Sequence, residues 1–275
     1  MNDPRSTSQP TTLDESADVR SVVREKYGAI AHGVSAGCCD VACGCNGGDV
    51  ALVARTIGYD ATQAAAAPEG ANLGLGCGNP LAYAAVRPGE VVLDLGSGAG
   101  FDCFLASREV GPSGQVIGVD MTPAMIERAR ANAAKHGARN VEFRLGEIEH
   151  LPVADASVDL IISNCVLNLS PDKPQVFREA FRALKPGGRM LVSDLVLLRP
   201  LSPELKRNVD LYVGCVAGAA LESEYLAMMR EAGFARVEEV KKSRYEVGAD
   251  ALAPESPERA AFDVVVSITV RAGKP

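Results

Sequence analysis

An α/β fold on a doubly wound, mostly parallel sheet is what this chain of 275 residues predicts, and three observations carry that reading. From Val91 onward, short apolar runs alternate with helix-patterned stretches, the arrangement of parallel strands joined by crossover helices. The first run, Val91 to Leu95, leads into Gly96-Ser97-Gly98-Ala99-Gly100 and then into a helix pattern from Phe101. A strand, a glycine loop and a helix N-terminus in that order present free backbone N–H groups to a ligand. Asp120 stands twenty residues after Gly100, at the end of the next apolar run, where such folds place an acid that takes ribose hydroxyls.

Taken in order, Met1 to Ser16 is polar and rich in Ser, Thr and Pro, the composition of a disordered arm. Val19, Val22, Val23, Tyr27 and Ile30 fall on one helical face. Gly33 to Gly48 then holds Cys38, Cys39, Cys43 and Cys45 among five glycines, a flexible stretch suited to redox or metalloid chemistry. Cys43-Gly44-Cys45 is too close for the usual zinc spacing. Asp60 to Ala67 reads as a short helix, and Asn72 to Pro80 as a glycine-rich loop held against a ligand. After the first strand come a helix to Val110, a strand over Gln115–Val119, and a helix from Thr122-Pro123 to His136. A strand over Val141–Leu145 ends in Gly146-Glu147-Ile148, where a carboxylate is placed to accept from an adenine amino group. Further strands are predicted over Asp159–Ser163 and Arg189–Asp194, with a helix over Lys173–Leu184 between them and a turn at Lys185–Gly188. Helices follow over Pro203–Val213 and Ser223–Glu231, then a closing antiparallel pair over Arg236–Tyr245 and Phe262–Arg271.

Composition removes several classes of function. The formal net charge of −7 leaves no basic surplus for a phosphate backbone. The longest apolar runs fall short of a membrane span, and the acidic N-terminus lacks a signal-peptide core, which predicts a cytoplasmic protein. Eight cysteines in a reducing compartment point to metal or redox chemistry rather than to structural disulfides.

The glycine spacing narrows the ligand. Gly-x-Gly-x-Gly, preceded by Asp94, is neither the dinucleotide fingerprint nor a P-loop. Together with Asp120 it resembles the S-adenosylmethionine-dependent class I methyltransferases, whose fold is Rossmann-like. Five stretches go further: Asn72 to Pro80, Leu93 to Phe104, Val119 to Met125, Phe143 to Pro152 and Ile161 to Asp172 together resemble the arsenite S-adenosylmethionine methyltransferases. The resemblance implies cofactor contacts from Asp94, Gly96, Gly98, Gly100, Asp120, Met121, Glu147, Ile148 and Asn164. It matches Cys77, Cys165 and Cys215 to three thiols that hold trivalent arsenic, and Cys38 or Cys39 to an upstream thiol that pairs with the loop cysteine during turnover. The implied organisation is an N-terminal Cys-rich extension over 1–70, a cofactor-binding domain over 71–200, and a C-terminal cover of the arsenic site with closing strands over 201–275.

The residues carry an independent chemical argument. Cys77 precedes the first strand and Cys165 follows the fourth, so both lie beside the switch between those strands, where open α/β sheets bind ligands. Arsenic(III) is soft and prefers thiolates, and coordinated arsenic keeps a lone pair that can attack a sulfonium methyl directly. Such a displacement needs no general base, and none of His32, His136 or His150 is placed as one. Oxidised arsenic would be reduced by neighbouring thiols, with thioredoxin or glutathione resetting the disulfide. Cys103, inside the first helix, reads as a core residue. The rival readings are a quinone-type C- or O-methyltransferase of a small organic acceptor and a non-catalytic thiol protein that binds arsenite or zinc.

Overall fold

A computed structural model of the chain describes residues 12–13, 18–33, 50–247, 249 and 252–275. Seven strands make one sheet: β1 (Val91–Leu95), β2 (Gln115–Asp120), β3 (Val141–Leu145), β4 (Val158–Asn164), β5 (Leu184–Leu197), β6 (Ala235–Arg244) and β7 (Val265–Gly273). Their order is β3-β2-β1-β4-β5-β7-β6, parallel from β3 to β5, with β7 antiparallel to both of its neighbours. β1 is central, and the chain reverses direction across the sheet between β1 and β4. That reversal opens a crevice at the carboxyl ends of the two strands.

The strands form where the sequence is apolar on both faces, because helices cover both sides. Alternate residues of β1 serve different cores. Leu93 and Leu95 pack with Ile117, Val119, Ile161 and the helices α7 (Lys173–Ala183) and α10 (Glu222–Glu231). Val92 packs the other way, with Val116, Leu160, Ile162 and the helices α5 (Phe101–Val110) and α6 (Pro123–His136). Phe177 and Tyr225 meet edge to face at 5.4 Å and close the first core. The helix termini follow local chemistry. Asp172 accepts from the Gln175 N–H to start α7, and Gly137 ends α6 in the left-handed region.

A third cluster lies over the mouth of the crevice and buries Cys77, Cys165 and Cys215 among Val23, Leu211, Val216 and Val265. Val23 comes from α1 (Val19–Ala31), which lies across the mouth and packs on α6 through Ile30, Ala31 and Met125.

The doubly wound order and the closing antiparallel pair match the sequence reading, and the differences have local causes. Val50–Thr56 (α2) and Leu81–Ala84 (α4), flanking the helix Ala61–Ala66 (α3), are helices too short to show a period. The stretch Pro203–Val213 is two helices, α8 (Pro203–Lys206) and α9 (Val209–Val213), because the Asn208 side chain accepts from Leu211 N–H and restarts the helix. Pro257–Phe262 (α11) occupies the connection between the last two strands, with Ser256 as its N-cap, and β7 begins at Val265. The strand β5 runs on through Lys185–Gly188, where a turn was predicted. β6 and β7 extend the central sheet itself, so the fold is continuous across residue 200.

Candidate active site

The cavity at the switch point is lined by the glycine loop, by Asp94, Asp102 and Asp120, by Met121 and Ile148, by Asn164 and Cys165, and by Cys215 from beyond the sheet. The loop leaves β1 as the Gly96 and Ser97 N–H groups bond to the Val119 carbonyl, at 2.8 and 3.0 Å. Gly96 has φ +69°, and a Cβ there would sit 2.3 Å from Val166. Gly98 has φ +52°, and a Cβ there would meet nothing within 4 Å, so its backbone faces open space that a ligand can enter. Ser97 Oγ is buried beside it with no protein partner. An open glycine backbone and an orphaned hydroxyl fit a nucleoside cofactor.

Asp120 does two jobs at this loop. Its Oδ2 accepts from Gly98 N–H at 3.0 Å and its Oδ1 from Thr122 N–H at 2.8 Å, so it fixes the loop while its remaining lone pairs face the cavity. Asp94 is buried under the loop and accepts from the Cys103 thiol at 3.2 Å. Cys103 is a core residue with a polar task. Desolvation and the Asp102 charge push Asp94 well above the ordinary carboxylate range, and desolvation lifts Asp102 to about 6. A wall of poorly solvated carboxylates suits a cationic ligand.

Glu147 does not line the cavity. It is engaged by Arg20 at 3.5 Å and Arg24 at 3.8 Å, while its neighbours Ile148 and Glu149 face inward. Glu149 is buried and accepts from Arg20 at 3.0 Å and from Ser170 Oγ at 2.6 Å. These bonds fasten α1 over the mouth, where Arg20, Val23 and Tyr27 complete the wall. Gly100 also stands behind the lining, where a Cβ would meet Phe143 at 2.7 Å and Phe104 at 2.8 Å.

The thiols converge from three parts of the chain. Cys165 follows β4 and has φ +62°; Cys215 follows α9 and has φ +65°. Both are left-handed, which costs a residue with a Cβ about 1–2 kcal/mol. The Cys215 thiol donates to the Cys165 carbonyl at 2.8 Å, and the sulfurs of Cys165 and Cys77 lie within 4.8 Å of each other. Cys77 is gripped on three sides. Its N–H donates to Asn164 Oδ1 at 3.0 Å, its carbonyl accepts from Ser267 Oγ at 2.8 Å, and its thiol points to the Ser193 carbonyl at 3.6 Å. Burial raises the Cys77 thiol to about 11 and holds Cys165 and Cys215 well above the usual range, for Cys215 chiefly through its contact with Cys165. Burial therefore favours the neutral thiol at all three. Cys38, Cys39, Cys43 and Cys45 lie outside the described residues.

Sequence reasoning missed several groups. Asp194, on β5 next to the residue that pairs with the end of β4, has a carboxylate oxygen within 4.8 Å of the sulfurs of Cys77 and Cys165. Burial lifts it to about 7, partly offset by hydrogen bonds and by the Lys173 charge. Its place at the end of the predicted strand Arg189–Asp194 was a readable signal. Tyr59 donates to Asp102 Oδ1 at 2.7 Å and accepts from Asn164 at 2.9 Å. Nothing in the sequence around it points to that.

A doubly wound sheet with an open glycine loop, an acid at the end of β2 and carboxylates under the mouth defines an S-adenosylmethionine-dependent methyltransferase of class I. The model of a methyltransferase domain family matches residues 87–233. An arsenite methyltransferase of Halobacterium salinarum is 49% identical over 265 residues, 94% of this chain and 67% of the relative's length. The human arsenite methyltransferase is 41% identical over 52% of this chain and 40% of its own. The crystal structure of an arsenic(III) S-adenosylmethionine methyltransferase from Chlamydomonas reinhardtii matches with a TM-score of 0.62 and 34% identity, covering 80% of this chain and 72% of that one. The chain belongs to the arsenite methyltransferase family. It spans between two fifths and about two thirds of the length of these two curated relatives.

Two outcomes follow from this geometry. Replacing Asp120 by Ala removes the brace of the glycine loop and a carboxylate that lines the cavity. Calorimetry should show cofactor binding weakened by about 1–3 kcal/mol, and unchanged affinity would take Asp120 out of the site. The second concerns pH. The Asp194 carboxyl is raised in the folded state, so the folded protein holds a proton that the unfolded chain releases near pH 4, and stability falls as pH rises from there to about 7. Asp194→Asn lacks this cost. Its melting temperature should gain on that of the unaltered protein across the same window, and a constant difference between the two would contradict the assignment.

Proposed function

We propose that this protein methylates trivalent arsenic with S-adenosylmethionine, holding the arsenic on Cys77, Cys165 and Cys215. The observation that carries the reading is that Cys165 and Cys215 line the same cavity as the glycine loop, with Cys77 buried behind that wall and its sulfur within 4.8 Å of that of Cys165. A carbon or oxygen acceptor has no use for that trio, and a storage protein has no use for the loop. Asp94, Gly96, Gly98, Asp120, Met121, Ile148 and Asn164 are the cofactor contacts in this reading, with Gly100 and Glu147 acting from behind the cavity wall. When bound, the cofactor supplies an electrophilic methyl group on a sulfonium.

Neutral thiols suit this substrate. Arsenite at neutral pH is an uncharged trihydroxide, and each As–OH exchanged for As–S takes the thiol's own proton into the departing water. Three thiols and arsenite give a neutral tris-thiolate and three waters, with no net proton released. A neutral complex is also the form that a dry, carboxylate-lined site tolerates best. The arsenic lone pair would then take the methyl carbon, the C–S electron pair would stay on the cofactor's sulfur, and the arsenic would become a cationic, pentavalent centre. Attack on the Cys77 sulfur by the thiol of Cys38 or Cys39 forms a disulfide, returns two electrons to arsenic and releases a proton. A methylated trivalent arsenical remains on Cys165 and Cys215. Thioredoxin or glutathione in a reducing cytoplasm restores the thiols. Among the described residues no helix is long and apolar enough to cross a membrane.

The direct test is incubation with arsenite, cofactor and a thiol reductant, followed by speciation of arsenic; absence of methylated products would defeat the reading. Cys165→Ser and Cys215→Ser should each abolish turnover on arsenite and on a monomethyl arsenical. Joint loss of Cys38 and Cys39 should block arsenite alone, where reduction needs the third thiol. Equal effects on the two substrates would remove that division of roles. Proton exchange gives a further check. Calorimetry in buffers of different ionisation enthalpy should find arsenite capture near pH 7 releasing essentially no protons, whereas cadmium, which carries no hydroxide to accept them, should release about one per thiol engaged. Matching proton release by both ions would mean that the resting thiols are ionised.

A further inference from the structure

Asp194 is a buried acid that the reaction outlined above leaves without a task. Its side chain is fully enclosed. Oδ1 accepts from Asn168 Nδ2 at 2.8 Å and from Leu195 N–H at 2.9 Å, and Oδ2 accepts from Tyr225 OH at 3.2 Å. Lys173 is the cation that faces it: the amine, held by the Asn168 and Ser170 carbonyls, acts on Asp194 through charge. Three donors and a nearby ammonium are the surroundings of an ionised carboxylate. Burial still lifts the carboxyl to about 7, so above that pH the oxygen within 4.8 Å of the Cys77 and Cys165 sulfurs brings a negative charge, held in place by its donors, to the thiol site.

A negative charge there does nothing for capture, because the tris-thiolate is neutral. It matters in the next step. As the lone pair of arsenic forms the As–C bond, the C–S bond of the sulfonium breaks and its electron pair stays on sulfur. The positive charge moves from the cofactor's sulfur to the arsenic and its three sulfurs. We propose that Asp194 stabilises this developing arsenic cation, and so acts on methyl transfer rather than on binding. The inference rests on the arsenic-methylating reading. A preorganised charge in a site shielded from water is among the most effective catalytic devices, since nothing has to reorient as the charge forms. The hydrogen bonds from Asn168, Leu195 and Tyr225 supply that fixity.

The test is Asp194→Asn, which keeps the shape and removes the charge, with Tyr225→Phe as a companion that loosens the network and keeps the charge. At a pH well above 7, where the carboxyl is ionised, single-turnover methyl transfer from pre-formed complexes should fall about 100-fold in Asp194→Asn, while arsenite and cofactor dissociation constants change little. Tyr225→Phe should lose far less. A readout independent of catalysis is alkylation of the unloaded protein by a neutral reagent. Removing the carboxylate should speed modification of Cys77 and Cys165 by about tenfold, a shift of one pKa unit. An unchanged single-turnover rate, equal losses in both variants, or a fall explained by weaker arsenite binding would each overturn the proposal. If the unaltered protein methylates no arsenic, the underlying reading fails instead, and the alkylation rates still report whether the charge is there.

Discussion

One amide holds the two halves of the site together. Asn164, the last residue of β4, accepts from the Cys77 N–H through Oδ1, and its Nδ2 donates to the Gly78 carbonyl and to Tyr59, with Asp102 at 3.4 Å. The thiol loop before β1, the segment between α2 and α3, and the first turn of α5 are all referred to this side chain. Close approach is what makes it possible: a Cβ on Gly76 would lie 2.8 Å from the Asn164 amide, and one on Gly78 would lie 2.6 Å from Ser193. The cofactor wall and the thiol loop therefore share one rigid anchor, and neither shifts without disturbing the other.

The parts of this arrangement that the sequence revealed are those with a repeating physical signal. The apolar runs of β1, β2 and β4 announce strands buried on both faces, and the alternation with helices announces parallel pairing. Glycines at alternate positions before a helix announce the loop. The cysteines could be grouped only because Cys77 and Cys165 flank the same switch point. What was illegible has no period. Tyr59 is one residue in a short connection, and its role depends on where Asp102 and Asn164 meet in space. Glu147 and Glu149 are alike in sequence, and only the reach of Arg20 and Arg24 from a helix far earlier in the chain decides which of them turns inward. Asn208 breaks a helix that the apolar pattern runs straight through, because its side chain competes for a backbone N–H.

Burial sets the chemistry of the site more than any single residue does. Desolvation opposes ionisation of thiols and carboxylates alike. The cysteines respond by keeping their protons. The acids under the glycine loop stay poorly satisfied until a cation arrives. A cationic cofactor and an uncharged arsenical are what such a cavity accepts with least electrostatic cost, and the charge of Arg20 in its wall is already met by Glu149.

The left-handed backbone at Cys165 and Cys215 has a consequence for how such a sequence drifts. At either position glycine or asparagine would fit the chain with less strain, so selection for stability alone pulls both sites away from cysteine. Retaining a thiol there is a standing cost to the fold. A lineage released from arsenic stress would therefore be expected to lose these two cysteines early, gaining stability as it becomes an inert relative with an intact cofactor loop.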